Sequence, residues 1–211
     1  MADLRQHGPD SVPLDASRGD ARSAAMALAS AAAEGDEWAT KRLLDLLAPR
    51  IARVVRVTLG VRYADLDDVT QLALIAFTMA IPSFRGECEP LHYASRIAVR
   101  TALHARRRSA IALSRYDDLA QLEDFTTPPA DEDALSNRRR TLLRNLLGEI
   151  PAEQAEALAL RVVLGWSLEE IAASSNTPLN TVRSRLRLAK EALRRRIEAD
   201  PVLSEEFGGQ R

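Results

Sequence analysis

Residues 167–196 read SLEEIAASSNTPLNTVRSRLRLAKEALRRR, two helices meeting at a short polar corner. Ser167 suits an N-cap, Glu169 and Glu170 fall in the first turn where the helix dipole favours carboxylates, and Leu168, Ile171 and Ala172 supply an apolar face. Ser174, Ser175 and Asn176 break this helix. Thr177-Pro178 marks the turn, since Pro178 biases Thr177 away from helical geometry, and Asn180 or Thr181 is placed to cap the second helix. Along that helix Val182, Leu186, Ala189 and Leu193 recur on one side, while Arg183, Arg187, Lys190 and Arg194 recur on another with no acidic partners read on their stripe. A short bracing helix followed by one that places cations in a major groove is a helix-turn-helix. A basic stripe alone is most often a solvated face; the brace and the polar corner, which solubility does not require, favour the DNA reading.

The 211 residues could form one domain or two small ones, and 46% apolar content is enough to fill cores. With 4% aromatics and a predominance of Ala, Leu and Arg, the expected class is all-α. The formal charge of −1 hides an asymmetry: between Arg138 and Arg196 twelve Lys and Arg face six Glu, a local excess of +6. Cys88 is the single cysteine, so no internal disulfide or cysteine-rich zinc site is expected, and a reducing cytoplasm fits. No signal-peptide core or membrane-spanning run is present. His7, His92 and His104 lack metal-binding spacing, and no glycine-rich phosphate loop or nucleophile motif occurs, so neither enzyme activity, cofactor, metal nor small-molecule substrate is expected.

In chain order, residues 1–20 are polar with Gly8, Pro9 and Pro13 and read as a disordered tail. An Ala-rich helix follows over 21–33. Asp36 can cap a long helix carrying Trp38, Leu43, Leu46, Leu47, Ile51, Val54 and Val55 on one side, bent at Pro49 and closed by Gly60. Asp65, Asp67 and Asp68 crowd the start of a helix over 66–81 whose apolar residues Leu72, Leu74, Ile75, Phe77 and Met79 are expected to be mostly core. After the loop PSFRGE, a helix from about Leu91 pairs Tyr93 with Arg96, Arg100, Arg106, Arg107 and Arg108. Such a helix can stack on bases and hold phosphates; a core Tyr with solvated arginines fits these residues as well. Residues 114–136 hold seven carboxylates around Pro128-Pro129 and read as a flexible acidic linker between two helical domains, 21–113 and 137–198. Leu142, Leu143, Leu146 and Leu147 form one further helix, Pro151 opens another to about Val163, and 199–211 remain as a C-terminal tail.

Two stretches, DLDDVTQLALIAFTMAIPSFRGECEPLHYASRIAVRTALHARRR (65–108) and IPAEQAEALALRVVLGWSLEEIAASSNTPLNTVRSRLRLAKEALRRR (150–196), resemble regions 2 and 4 of bacterial RNA polymerase sigma factors of the extracytoplasmic-function (ECF) group. The resemblance spans about 24–196. It implies a promoter-specificity subunit that binds core polymerase, its β′ clamp and β flap, together with promoter DNA and an anti-sigma factor. By this likeness Asp67, Asp68 and Gln71 contact the core. Phe84, Arg85, Gly86, Tyr93, Arg96, Ile97, Ala98 and Arg100 match the part that opens the minus-ten element and captures an extruded base. Arg183, Ser184 and Arg187 face bases of the minus-thirty-five element, and Thr181, Arg185 and Lys190 grip phosphate. This chain departs from the family pattern at Leu72, Pro90, Tyr93 and Arg100. Weighed against this reading are a stand-alone helix-turn-helix regulator and a non-DNA adaptor, which the basic helices disfavour.

Overall fold

The computed structural model describes residues 14–115 and 132–208, and every element found there is helical. The helices are α1 (Leu14–Ala33), α2 (Glu37–Leu59), α3 (Leu66–Ala80), a 3-10 turn (Ile81–Ser83), α4 (Pro90–Arg115), α5 (Glu132–Glu149), α6 (Ala152–Val162), α7 (Leu168–Ser175), α8 (Leu179–Ala199) and α9 (Pro201–Gly208). α1 begins within the expected tail, and α9 occupies the expected C-terminal one. The acidic segment is framed by α4 and α5, and its residues 116–131 lie outside the described part of the chain.

Local chemistry sets the boundaries of α2. Asp36 accepts a hydrogen bond from the Ala39 N–H at 2.9 Å, and Gly60 ends the helix at φ +95°, a conformation that disfavours a side chain. The helix runs on through Pro49. Leu43, Leu47, Ile51, Val54 and Val55 are buried at helical spacing, whereas Trp38 (66% exposed) and Leu46, each one residue off that stripe, face outward. Sequence spacing puts both on the same side of the helix as the buried residues. α3 differs more: Val69, Ala73 and Phe77 are buried, but Leu72, Ile75 and Met79 are exposed, so the core claims one flank of a helix that is apolar nearly all round.

α4 is the centre of the molecule, packing on α2 and α3 with one side and on α5, α6 and α7 with another. Its small residues Ala94, Ala98 and Ala102, all fully buried, permit the close approach, and buried apolar contacts continue from α1–α4 into α5–α8. Arginines cap helix ends, whose unpaired carbonyls attract cations, and several of them join the halves. Arg144 of α5 donates to the Val57 carbonyl in the last turn of α2, where Arg106 of α4 holds the Leu59 carbonyl and also reaches Asn145 of α5. Arg107 donates to the carbonyls of Gly148 and Ile150 at the end of α5. α9 closes on the second group: Leu203 is buried, and Glu206 lies 3.5 Å from Arg138 and 3.6 Å from Arg139.

Candidate nucleic-acid interface

The corner at 167–196 folds by the expected local chemistry. Ser167 and Glu170 form a reciprocal capping box, the Glu170 N–H donating to Ser167 Oγ at 3.1 Å and the Ser167 N–H to Glu170 Oε2 at 2.7 Å. That second bond is the main reason the Glu170 carboxyl is held below its ordinary range. Asn176 ends α7 in the left-handed region at φ 47°, which asparagine tolerates. The start of α8 differs from expectation: Pro178 is its N-cap, no side chain caps it, and Asn180 and Thr181 already lie within the helix. Asn180 instead accepts a hydrogen bond from Arg183 at 3.0 Å.

Val182, Leu186, Ala189 and Leu193 are buried, which aims the flanks of α8 outward. Arg183, Ser184, Arg187 and Lys190 lie exposed on one flank. Thr181 and Arg185 sit on the other, half-buried, with Arg185 3.2 Å from Glu153 of α6. The stripe does have acidic partners: Arg187 pairs with Glu191 at 2.7 Å and Arg194 with Glu198 at 3.4 Å, one turn on. These exposed pairs are weak and exchange readily for phosphate.

The other candidate group is less uniform. Arg85 and Gly86 are exposed in the loop before α4, with Gly86 at φ +73°. Phe84 lies against Tyr93, ring centroids 5.2 Å apart, and Tyr93 meets Phe77 at 6.4 Å while its hydroxyl donates to the Ala80 carbonyl at 3.0 Å. Tyr93 is therefore engaged with the core, and the cavity it lines with Phe84, Phe77 and Leu43 measures about 10 Å³, room for a water at most. Ile97 is half-buried and Ala98 fully buried, so α4 turns both toward the interior. Arg100 is exposed with no partner among the described residues. Arg96 is engaged: its Nε donates to Glu156 of α6 at 2.6 Å and its Nη1 to the Ser174 carbonyl at 3.1 Å. Neither sequence alternative for this helix included that arrangement, in which Arg96, Arg106 and Arg107 are neither solvated nor free for phosphate.

Arg96, Arg100, Arg107 and Arg185, with His104, line a cleft of about 290 Å³ between α4 and α6–α8, facing only Glu153 and Glu156 as acids. Burial, reinforced by the charge of Arg144, pulls Arg106 down to about 10, which leaves it protonated at neutral pH. Cys88, half-buried, has its thiol pushed up by burial, the opposite of what a reactive thiolate needs. The three residues matched to core binding, Asp67, Asp68 and Gln71, are all exposed, and Leu72, Ile75 and Met79 continue an exposed surface along α3.

The Sigma-70 region 2 family matches residues 43–111, and the Sigma-70, region 4 family matches residues 140–193. The chain is 31% identical over 182 residues to an ECF RNA polymerase sigma-E factor of Haemophilus influenzae, covering 82% of this chain and 94% of that protein. It is likewise 31% identical over 175 residues to the ECF RNA polymerase sigma-E factor of Escherichia coli K12, covering 78% and 90%. The chain belongs to the ECF sigma factor family.

As an ECF sigma factor it is a transcription initiation factor and not an enzyme, and the stand-alone regulator gives way to that assignment. Among solved structures it is similar to CnrH in complex with the cytosolic domain of CnrY (22% identity, 84% of this chain and 99% of that chain, TM-score 0.47). It is also similar to the sigma factor RpoE in complex with the anti-sigma factor NepR from Bartonella quintana (18% identity, 81% and 98%, TM-score 0.44). The region 2 match begins in α2 and ends in α4, and the region 4 match begins in α5 and ends in α8, so α1 and α9 of this sigma factor lie outside both. Sequence reasoning missed His92, Glu156 and Trp166: the His92 ring of α4 lies 4.5 Å from the Trp166 ring in the loop before α7, and Glu156 of α6 meets Arg96 of α4. No local signal pairs residues so distant in the chain.

Proposed function

We propose that this sigma factor works as two units, about 21–113 and 137–198, joined by the acidic segment. Asp67, Asp68 and Gln71 of α3, with Leu72, Ile75 and Met79, meet the β′ clamp of core polymerase, while the second unit meets the β flap. Phe84, Arg85, Gly86, Tyr93, Arg96, Ile97, Ala98 and Arg100 serve minus-ten recognition and melting. Arg183, Ser184 and Arg187 read the minus-thirty-five element, and Thr181, Arg185 and Lys190 set its register on phosphate. The observation that carries the reading is the exposed flank of α8, where Arg183, Ser184, Arg187 and Lys190 project together from a helix braced by the capped α7. An anti-sigma factor that covers the exposed apolar surface of α3 away from polymerase belongs to the same proposal, as does action in the cytoplasm. No helix among the described residues is long and apolar enough to cross a membrane. Purified core polymerase supplemented with this chain is expected to initiate at cognate promoters that core alone ignores. Silence across a genomic promoter library would refute the proposal.

A further inference from the structure

The minus-ten reading makes no use of α1, and the region 2 match starts at residue 43, after this helix has ended at Ala33. Its inner face is nonetheless built into the loop between the 3-10 turn and α4. Ala29, 2% exposed, lines the small cavity behind Phe84, Pro90 and Tyr93, so α1 supplies a wall of the space on which both aromatic rings are seated. Two turns earlier on the same helix, Arg22 places Nη1 2.8 Å from Glu89 Oε1. Glu89 is also where α4 begins, its carbonyl accepting from the Tyr93 N–H at 3.0 Å.

The loop is thus fastened at both ends and open between them. Phe84 is half-buried, its N–H donating to the Ile81 carbonyl at 2.9 Å; Arg85, Gly86 and Glu87 are exposed; Cys88 and Glu89 are half-buried and Pro90 is buried. A binding loop holds its geometry only as well as the elements that fix its ends. Charge matters at the same place. Residues 84–89 carry one cation, Arg85, against Glu87 and Glu89, and a bare carboxylate at Glu89 repels a polynucleotide that Arg22 lets approach. The Arg22 and Glu89 side chains are 65% and 26% exposed, so their pairing adds little to folding and its consequence falls on the loop.

We infer that α1 is part of the machinery of promoter opening: it positions the loop at 84–89, Arg22 acting through Glu89 and Ala29 through Phe84 and Tyr93, a role that rests on the assignment of Phe84, Arg85 and Gly86 to the minus-ten element. Arg22 is then a positioning residue, effective on DNA only by way of Glu89.

The experiment uses holoenzyme reconstituted from core polymerase and the full chain, on a promoter fragment selected by wild-type holoenzyme from a genomic library and carrying 2-aminopurine in the melted segment. Fluorescence followed against holoenzyme concentration separates the half-saturating concentration from the rate of opening at saturation. Arg22→Ala is expected to slow opening about fivefold, the upper range for an exposed ion pair, with half-saturation and the urea midpoint as in wild type. Arg22→Lys, which keeps the charge, is expected to restore most of the rate. In a Glu89→Ala background, Arg22→Ala is expected to make no further difference, because no carboxylate is left to hold or neutralise. Wild-type opening by Arg22→Ala overturns the inference. Equal slowing in both backgrounds does so too, by showing that Arg22 acts independently of Glu89, as does a loss of rate that tracks a lowered urea midpoint. Arg85→Ala on the same fragment tests the assignment beneath: slowed opening keeps the loop in the minus-ten role whatever Arg22 does, and unchanged opening removes that role and the inference with it.

Discussion

Arg183 and Lys190 share an exposed flank of α8, yet their surroundings differ: Arg183 is held near the helix start by Asn180, whereas Lys190 lies two turns on with no partner among the described residues. A guanidinium fixed at the N-terminal end of a reading helix can address base edges, and a mobile ammonium farther along acts as a point charge on phosphate. Arg183→Ala is expected to relax preference at particular upstream bases by about 1–3 kcal/mol in the holoenzyme, measured by competition among promoter variants. Lys190→Ala is expected to weaken all sequences alike and lower the salt slope by roughly one. At Ser167 the local chemistry is legible from sequence alone, because a capping box involves residues three apart. Ser167→Ala is expected to cost about 1 kcal/mol in urea unfolding. The Glu170 carboxyl, depressed by the Ser167 N–H, contributes stability above the unfolded value of about 4.3 and loses it as pH falls through the lower folded value. The melting temperature of wild type relative to Glu170→Gln is therefore expected to fall modestly below about pH 4, the effect being small because the side chain is partly exposed and solvent screens it.

Among the elements, α3 departs most from its sequence reading. Its composition marks a buried helix, but a helix against one layer of neighbours buries one flank, here Val69, Ala73 and Phe77. Leu72, Ile75 and Met79, the last 77% exposed, remain outside. Periodicity cannot reveal this when both flanks are apolar; only the position of α2 and α4 does. Ile75→Glu is expected to change unfolding stability by no more than about 0.5 kcal/mol and to abolish co-purification with core polymerase. Retention of polymerase by this variant would exclude α3 as the docking surface. α9 escaped notice for a related reason: eight residues carry too little pattern, and its burial of Leu203 depends on α8 already being in place.

For the whole molecule, the acidic segment suggests two independent bodies, whereas buried contacts run without a break from α2 through α4 into α6. Differential scanning calorimetry of the free chain is expected to show one cooperative transition with equal van't Hoff and calorimetric enthalpies, and Glu156→Gln is expected to broaden or split it. The sequence by itself determined the all-helical class, the helix-turn-helix, the ECF family and where the cations stand. The class and the helix-turn-helix rest on caps, turns and apolar spacing within a few residues, local chemistry that survives without knowledge of neighbours, and the family rests on the resemblance of residues 65–108 and 150–196 to two sigma regions. Only the tertiary structure decided which cations are free. Arg96 meets Glu156 sixty residues away, Arg106 meets Leu59 forty-seven away, and Arg107 meets Ile150 forty-three away. A guanidinium accepts a phosphate, a carboxylate or a helix end on nearly equal terms, so the partner it holds is set by which one the fold delivers. The corner at 167–196 keeps its exposed basic flank, while Arg96 and Arg107 of α4 are held by the helices that lead into it and Arg100 stays exposed.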